Sequence, residues 1–178
     1  MMRPVFCAIM LTLTLACGGG GSNVGNPYAT KLTYTGPADP TLWRLTQDVA
    51  STPAHLVLDL MAPASVTSGY GVTLVLTTDP NRTSWHAFSP GVYLQGLIYP
   101  SPVVQVASVQ GPALRIVAAQ APGTPVNYYA APILQVELDL AATALPGTVD
   151  LTATLGDHLG ASGPAAPITI QAGSLQAQ

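Results

Sequence analysis

The sequence predicts an all-β fold, an antiparallel β-sandwich of about nine strands. Apolar and polar residues alternate with a period of two in segment after segment. Clusters of Gly, Pro, Asn and Asp separate these segments and are typical of turns. No stretch of about ten residues combines the spacing of apolar residues typical of a helix with helix caps. The pattern fits any jelly-roll or Greek-key sandwich, and it does not give the strand order.

The first segment of the chain is typical of a bacterial export signal. Arg3 supplies a single cation, an apolar run covers residues 5–16, and Cys17 follows. The run is about half as long as a membrane-spanning helix requires, and glycines follow it instead of a stop-transfer pattern. We therefore expect residues 1–16 to be a signal peptide that is removed.

Residues 13–17, Leu-Thr-Leu-Ala-Cys, resemble the lipobox of bacterial lipoproteins. The resemblance implies that Cys17 receives a lipid and becomes the mature N-terminus, although Thr14 stands where the strongest lipoboxes have leucine. An ordinary signal peptide with a cysteine near its cleavage site is the alternative. Because Gly18 rather than Asp follows the cysteine, the resemblance also implies sorting to the outer membrane.

The rest of the chain divides into a flexible glycine-rich tether, residues 17–28, and one domain, residues 29–178. Without Arg3, four scattered basic residues oppose eight acidic ones, which argues against a nucleic-acid partner. Both cysteines, Cys7 and Cys17, precede the domain. The domain therefore has no disulfide and no thiol chemistry.

Alternation is clearest in four segments that we predict as strands, residues 55–61, 70–77, 133–140 and 148–155. Leu145-Pro146-Gly147 joins the last two and predicts a hairpin. Further strands are expected at residues 31–35, 42–46, 103–108, 114–119, 167–171 and 174–177.

From about residue 55 to the C-terminus, the chain resembles the cohesin-type β-sandwich and related bacterial carbohydrate-binding modules. The resemblance rests first on residues 71–81, GVTLVLTTDPN, where a strand ends in an Asp-Pro turn. It continues through residues 134–140 (LQVELDL), Pro146-Gly147, 149–152 (VDLT), Gly160 and 168–175 (ITIQAGSL). It implies a nine-strand jelly roll and a role in recognition or assembly, with no particular partner and no transferred binding residues.

Groups suited to catalysis are sparse in this sequence. It has three histidines and none of the motifs of serine hydrolases, zinc proteases or calcium loops. We interpret His55 as an edge or turn residue at the start of a strand, His86 as partly exposed, and His158 as part of a turn before Gly160. We expect no enzyme, no cofactor and no metal, and a divergent hydrolase is the least favoured alternative.

Carboxylates give one further alternative. Glu137 and Asp139 lie on the outward face of one predicted strand, and the predicted hairpin brings Asp150 opposite them. Such a group could bind calcium, which prefers several oxygen ligands. A solvated sheet face is the interpretation we prefer.

Aromatic residues in and beside the two longest connections, residues 89–102 and 120–132, are the candidate ligand-binding residues. Exposed Trp and Tyr rings stack on sugars, and the alternative is that they close the core or cover loops. The candidates are Trp85, Tyr93, Tyr99, Tyr128 and Tyr129.

The predicted function is that of a non-enzymatic, lipid-anchored protein of the cell envelope. Its sandwich is expected to bind a glycan or a protein close to the outer membrane. The alternative is a structural protein that pairs with a partner through an exposed edge strand.

Overall fold

A computed structural model describes residues 25–89, 91–92, 95–96, 102–121, 123–129 and 131–178. These residues form fifteen strands and no helix, so no helix among them could cross a membrane. The strands are β1 (Leu32–Thr35), β2 (Trp43–Gln47), β3 (His55–Met61), β4 (Ser68–Thr77), β5 (Thr83–Trp85), β6 (Gln95–Gly96), β7 (Pro102–Gln110), β8 (Ala113–Gln120), β9 (Val126–Asn127), β10 (Leu134–Leu140), β11 (Gly147–Val149), β12 (Thr152–Gly160), β13 (Ala165–Pro167), β14 (Ile170–Gln171) and β15 (Ser174–Ala177).

The strands form three sheets. Sheet 1 is small and has the order β1-β15-β11. Sheet 2 has the order β14-β2-β3-β10-β5, and β6 also pairs with β10. Sheet 3 has the order β13-β12-β4-β8-β7, and β9 also pairs with β4. Every named pair is antiparallel except β14 with β2.

One hydrophobic core lies between the sheets. Sheet 2 contributes the alternate residues of β3 and β10, including Leu58 and Leu138, and sheet 3 contributes Leu74, Leu114 and Ile116. These side chains are buried because a strand directs every second residue to the same face. The predicted all-β sandwich is confirmed. The number of strands exceeds the expected nine because several of the strands are only two or three residues long.

The predicted hairpin at Leu145-Pro146-Gly147 is wrong. β10 pairs with β3 and β5 in sheet 2, whereas β11 pairs with β15 in sheet 1. The connection between β10 and β11 crosses between sheets, and the buried Ala144 in it accepts a hydrogen bond from the Ala29 amide. Turn residues predict a change of direction, but they do not say which strand is the next partner.

Two other predicted strands, residues 148–155 and residues 167–171, are each divided between two strands of the structure. In residues 148–155, Val149 and Leu151 are buried as expected, but a register shift between Ala153 and Leu155 turns Leu155 to the outside. Such a bulge reverses the faces of all the residues that follow it. Residues 167–171 divide between β13 in sheet 3 and β14 in sheet 2.

Candidate functional site

The outer face of sheet 2 brings two histidines together with two carboxylates. His55 begins β3 and lies opposite Asp139 of β10. On the other side of β10, the His86 amide donates to the Glu137 carbonyl at 2.9 Å, just beyond the end of β5. Because residues 137 and 139 point to the same face of β10, the two imidazoles meet the two carboxylates there. We call these four residues the histidine cluster.

Short contacts join every member of the histidine cluster. Asp139 connects the two rings, with Oδ1 at 2.7 Å from His55 Nδ1 and Oδ2 at 2.7 Å from His86 Nδ1. Glu137 Oε2 lies 3.0 Å from His55 Nε2 and 3.7 Å from His86 Nε2. The rings meet edge to face with centroids 4.7 Å apart. His55 therefore faces a carboxylate at each of its ring nitrogens.

Asp139 is the anion at the centre of this network. Partial burial raises the pKa of its carboxyl, but hydrogen bonds from His55 and His86, together with their charge, outweigh burial and lower the pKa below its ordinary value. Further along the same face, Asp59 accepts a hydrogen bond from Gln135 Nε2 at 3.0 Å, and burial raises its pKa. The face is therefore acidic around its two histidines.

This geometry corrects two sequence-based expectations and brings together a group of possible metal ligands. His55 does begin a strand, but both of its ring nitrogens contact carboxylates. Asp150 follows β11 of sheet 1, whose partner is β15, so it does not join Glu137 and Asp139 across a hairpin. Although no metal was expected, His55, His86 and Asp139 offer three donor atoms within 4.8 Å of one another.

The outer face of sheet 3 has the opposite character. Val106 of β7 lies opposite Val117 of β8, and Val75 of β4 lies opposite Leu155 of β12. Val106 and Leu155 are each 54% exposed. We call this surface the apolar face; its outward apolar side chains are Val75, Val104, Val106, Val117, Leu155 and Leu159.

A shallow depression of about 150 Å³ lies on the apolar face beside Gly71. A Cβ atom at Gly71 would lie 2.7 Å from the Ala119 Cβ, so only glycine leaves this surface undisturbed. Asp157 lines the depression and accepts a hydrogen bond from Thr73 Oγ1 at 3.3 Å. Arg115 lies in register with Val75 and is exposed. Two charged side chains, Arg115 and Asp157, thus lie among the apolar side chains of this face.

The third histidine lies in an aromatic corner and not in a turn. His158 belongs to β12, and its ring lies 5.1 Å from the Trp43 ring and 5.5 Å from the Tyr128 ring. Its Nε2 atom is buried and has no hydrogen-bond partner among the described residues. Burial lowers the pKa of His158, because a charged imidazole is disfavoured away from water.

The candidate aromatic residues do not share one surface in the described part of the chain. Trp85 is buried, and its indole donates to the Pro112 carbonyl at 3.0 Å, so it belongs to the core. Tyr128 is also buried, whereas the adjacent Tyr129 is 76% exposed and borders a pocket of about 250 Å³. Tyr93, Tyr99 and the predicted lipidation site Cys17 lie outside the described residues. Of the described candidates, only Tyr129 presents an exposed ring for stacking.

Comparison with known proteins addresses the fold. No family model and no curated protein matches the sequence. The seventh ScaB type I cohesin from Pseudobacteroides cellulosolvens superposes with a TM-score of 0.50 at 10% identity, covering 75% of this chain and 88% of that one. The fold is cohesin-like. This likeness confirms the fold that the sequence resemblance of residues 71–81 and of the segments between residues 134 and 175 implies.

Two other cohesins superpose less closely. The sixth cohesin of scaffoldin B from Acetivibrio cellulolyticus, solved with a Cel5 dockerin mutant, gives a TM-score of 0.49 at 10% identity, covering 75% of this chain and 96% of that one. The cohesin module of a family 33 glycoside hydrolase from Clostridium perfringens gives 0.38 at 12% identity, covering 82% and 98%. Identities this low transfer no function, so the function of this chain has to be argued from its own surfaces.

Proposed function

We propose that the protein is a non-enzymatic lipoprotein of the cell envelope whose cohesin-like sandwich binds a protein partner through the apolar face. The observation that carries the proposal is the set of outward valines and leucines on β7, β8, β4 and β12, of which Val104, Val106, Val117 and Leu155 are exposed. Large contiguous apolar patches are uncommon on proteins that act alone, and they mark interaction sites.

A protein fits the apolar face better than a glycan does. Sugars bind to exposed aromatic rings with polar groups beside them, whereas the apolar face offers aliphatic side chains. Arginine is enriched at protein interfaces, and Arg115 is exposed on this face. Trp85, one of the candidates for sugar stacking, is buried in the core.

The lipid anchor and the outer-membrane location rest on the N-terminal sequence. Cys17 follows an apolar run of signal-peptide length, and Gly18 follows the cysteine. An acylated cysteine on a glycine-rich tether would hold the sandwich close to the bilayer and leave its faces accessible. Incorporation of labelled palmitate tests this step: the parent chain becomes labelled and Cys17→Ser does not. Labelling of the Cys17→Ser chain would exclude the assignment.

A matched pair of leucines tests the binding face. Leu155 lies on the apolar face and is 54% exposed, and Leu145 lies between β10 and β11 and is 55% exposed. Partners are captured by crosslinking from envelope extract with the parent chain, Leu155→Lys and Leu145→Lys. A partner retained by the parent chain and by Leu145→Lys, but lost from Leu155→Lys, supports the proposal. Equal capture by both variants contradicts it, as does the absence of any reproducible partner.

Strand addition at β7 is the second candidate function. β7 is nine residues long, and among the described residues it pairs only with β8. A long edge strand is a template for a strand from another chain. Leu155 lies on β12, which is separated from β7 by β8 and β4. Gln105 of β7 is exposed and lies off the apolar face, so loss of the partner from Gln105→Pro but not from Leu155→Lys would indicate pairing at the edge rather than docking on the face.

A further inference from the structure

The histidine cluster is independent of the apolar face, because it lies on the outer face of the other large sheet. Its residues come from β3, from β10 and from the position after β5, and the pairing of these strands fixes their relative positions. Side chains placed by three neighbouring strands need little ordering to act together.

We propose that His55, His86 and Asp139 bind a divalent transition-metal ion, for which Zn²⁺ is the natural probe. Both Nδ1 atoms face the same carboxylate, at 2.7 Å from Oδ1 and from Oδ2. Two imidazoles with one carboxylate form a ligand set typical of zinc and its neighbours, whereas calcium and magnesium prefer oxygen ligands alone.

Glu137 supplies the second observation that points to a metal. A histidine that binds a metal through one nitrogen almost always donates its other N–H to a carboxylate or a carbonyl. His55 Nε2 lies 3.0 Å from Glu137 Oε2, on the side of the ring opposite Nδ1. This hydrogen bond would place the proton on Nε2 and leave the Nδ1 lone pair free for the ion.

The donor atoms must rearrange to accept an ion, because they now lie within 4.8 Å of one another and are joined by hydrogen bonds. Zinc lies roughly 2.0–2.2 Å from nitrogen and oxygen ligands, so three ligands around it sit slightly more than 3 Å apart. The present nitrogen–oxygen contacts of 2.7 Å are hydrogen bonds, and the ion takes the place of the protons in them. Each imidazole then binds as the neutral ring through an unprotonated Nδ1, with its one N–H on Nε2.

The site is open to solvent on one side. The side chains of His86 and Asp139 are each 39% exposed, and the Phe88 ring lies 6.4 Å from the His86 ring along another side. Three protein ligands leave at least one coordination position for water or for a group from a bound molecule. The site would therefore hold an ion without enclosing it.

Equilibrium dialysis against Zn²⁺ tests the proposal, with a chain that carries no affinity tag. Cys7→Ser and Cys17→Ser are introduced throughout so that no thiol competes. We expect the parent chain to bind one ion at micromolar concentration, and Asp139→Asn to bind at least about tenfold more weakly. Glu137→Gln keeps all three ligands and should weaken binding roughly 10–100-fold. Asp150→Asn, an exposed carboxylate elsewhere, should bind like the parent.

The outcome that overturns the proposal is the absence of stoichiometric binding, or equal affinities in the parent chain, Asp139→Asn and Glu137→Gln. A second measurement on the parent chain alone does not depend on how the variants fold. When Zn²⁺ is added, the ring resonances of His55 and His86 should shift in the NMR spectrum while those of the buried His158 stay in place. Unchanged His55 and His86 resonances would equally overturn the proposal.

Discussion

The two large sheets have similar inner faces and different outer faces. Inward, both present leucines, isoleucines and valines to a common core. Outward, sheet 2 presents the histidine cluster, whose polar atoms bond to one another, and sheet 3 presents aliphatic side chains to solvent. The fold depends on the inward positions, so the outward positions are free to differ, and this is where the two proposed activities lie.

Two valines, one on each outer face, differ in exposure, so residue type alone does not explain why sheet 3 exposes its valines. Val57 points outward from β3, yet it is only 2% exposed, and the connection after β2 lies beside it. Ser51 Oγ, in that connection, accepts a hydrogen bond from the Val57 amide at 3.0 Å and donates to its carbonyl at 3.2 Å. No comparable segment among the described residues covers Val106, which is 54% exposed.

The largest expected effect comes from the core that both faces share. Leu58 is fully buried on β3, so Leu58→Ala should lower the free energy of unfolding by about 2–5 kcal/mol, through lost burial and the cavity left behind. Urea denaturation measures the change, and Leu145→Ala, at an exposed leucine, is the control. A loss no larger than that of the control would show that sheet 2 does not pack as described.

A smaller loss of unfolding free energy is expected from a substitution on the apolar face. In Gly71→Ala, the new Cβ would meet the Ala119 Cβ at 2.7 Å and the Ala118 carbonyl oxygen at 2.8 Å. Overpacking against backbone should cost about 1–3 kcal/mol of unfolding free energy. The double variant Gly71→Ala/Ala119→Gly should recover part of this loss. If the single variant is as stable as the parent, the depression beside Gly71 is not formed as described.

On the opposite face, Asp139→Asn should cost roughly 1 kcal/mol without metal, a modest loss because solvent screens this partly exposed carboxylate. Asp150→Asn is the matched control. The folded pKa of Asp139 lies below its ordinary value of 3.8. The stabilisation it provides is therefore complete above that value and is lost as the pH falls through the folded pKa. Thermal unfolding measured down to about pH 2 should show a smaller acid-induced loss in Asp139→Asn than in the parent.

The smallest expected effect concerns His158, which belongs to neither outer face. Burial lowers its folded pKa below 6.5, so the unfolded chain takes up a proton first as the pH falls. Stability is complete above 6.5 and declines as the pH falls towards the folded pKa. An NMR titration of the three imidazoles checks this directly, and His158 should titrate below 6.5. A midpoint at or above that value would contradict its burial beside Trp43 and Tyr128.

The inward positions of this fold could be predicted from the sequence, and the partners of the strands could not. The burial of Leu58 and Leu138 is predicted by the period of two, because a strand that is buried on one face alternates apolar and polar residues. His55 and Asp139 lie 84 residues apart, and only the pairing of β3 with β10 brings them together. Strand pairing is a long-range property, so the histidine cluster has no local sequence signature.

Two further differences between the sequence-based predictions and the structure have local causes. The alternation in residues 148–155 continues through Leu155, but one bulge turns that side chain outward and adds it to the apolar face. Trp85 is of a residue type that is common in binding sites, yet it lies on β5 opposite Leu138 with its ring in the core. A bulge does not interrupt the alternation of residue types, and a tryptophan suits either a core or a surface.

A paired binding assay tests most directly whether the two outer faces act separately. Partner capture and Zn²⁺ binding are measured in parallel on the parent chain, on Leu155→Lys and on Asp139→Asn. We predict that Leu155→Lys loses the partner and keeps Zn²⁺ binding, and that Asp139→Asn keeps the partner and binds Zn²⁺ at least about tenfold more weakly. Loss of both activities in either folded variant would contradict the account, as would retention of both.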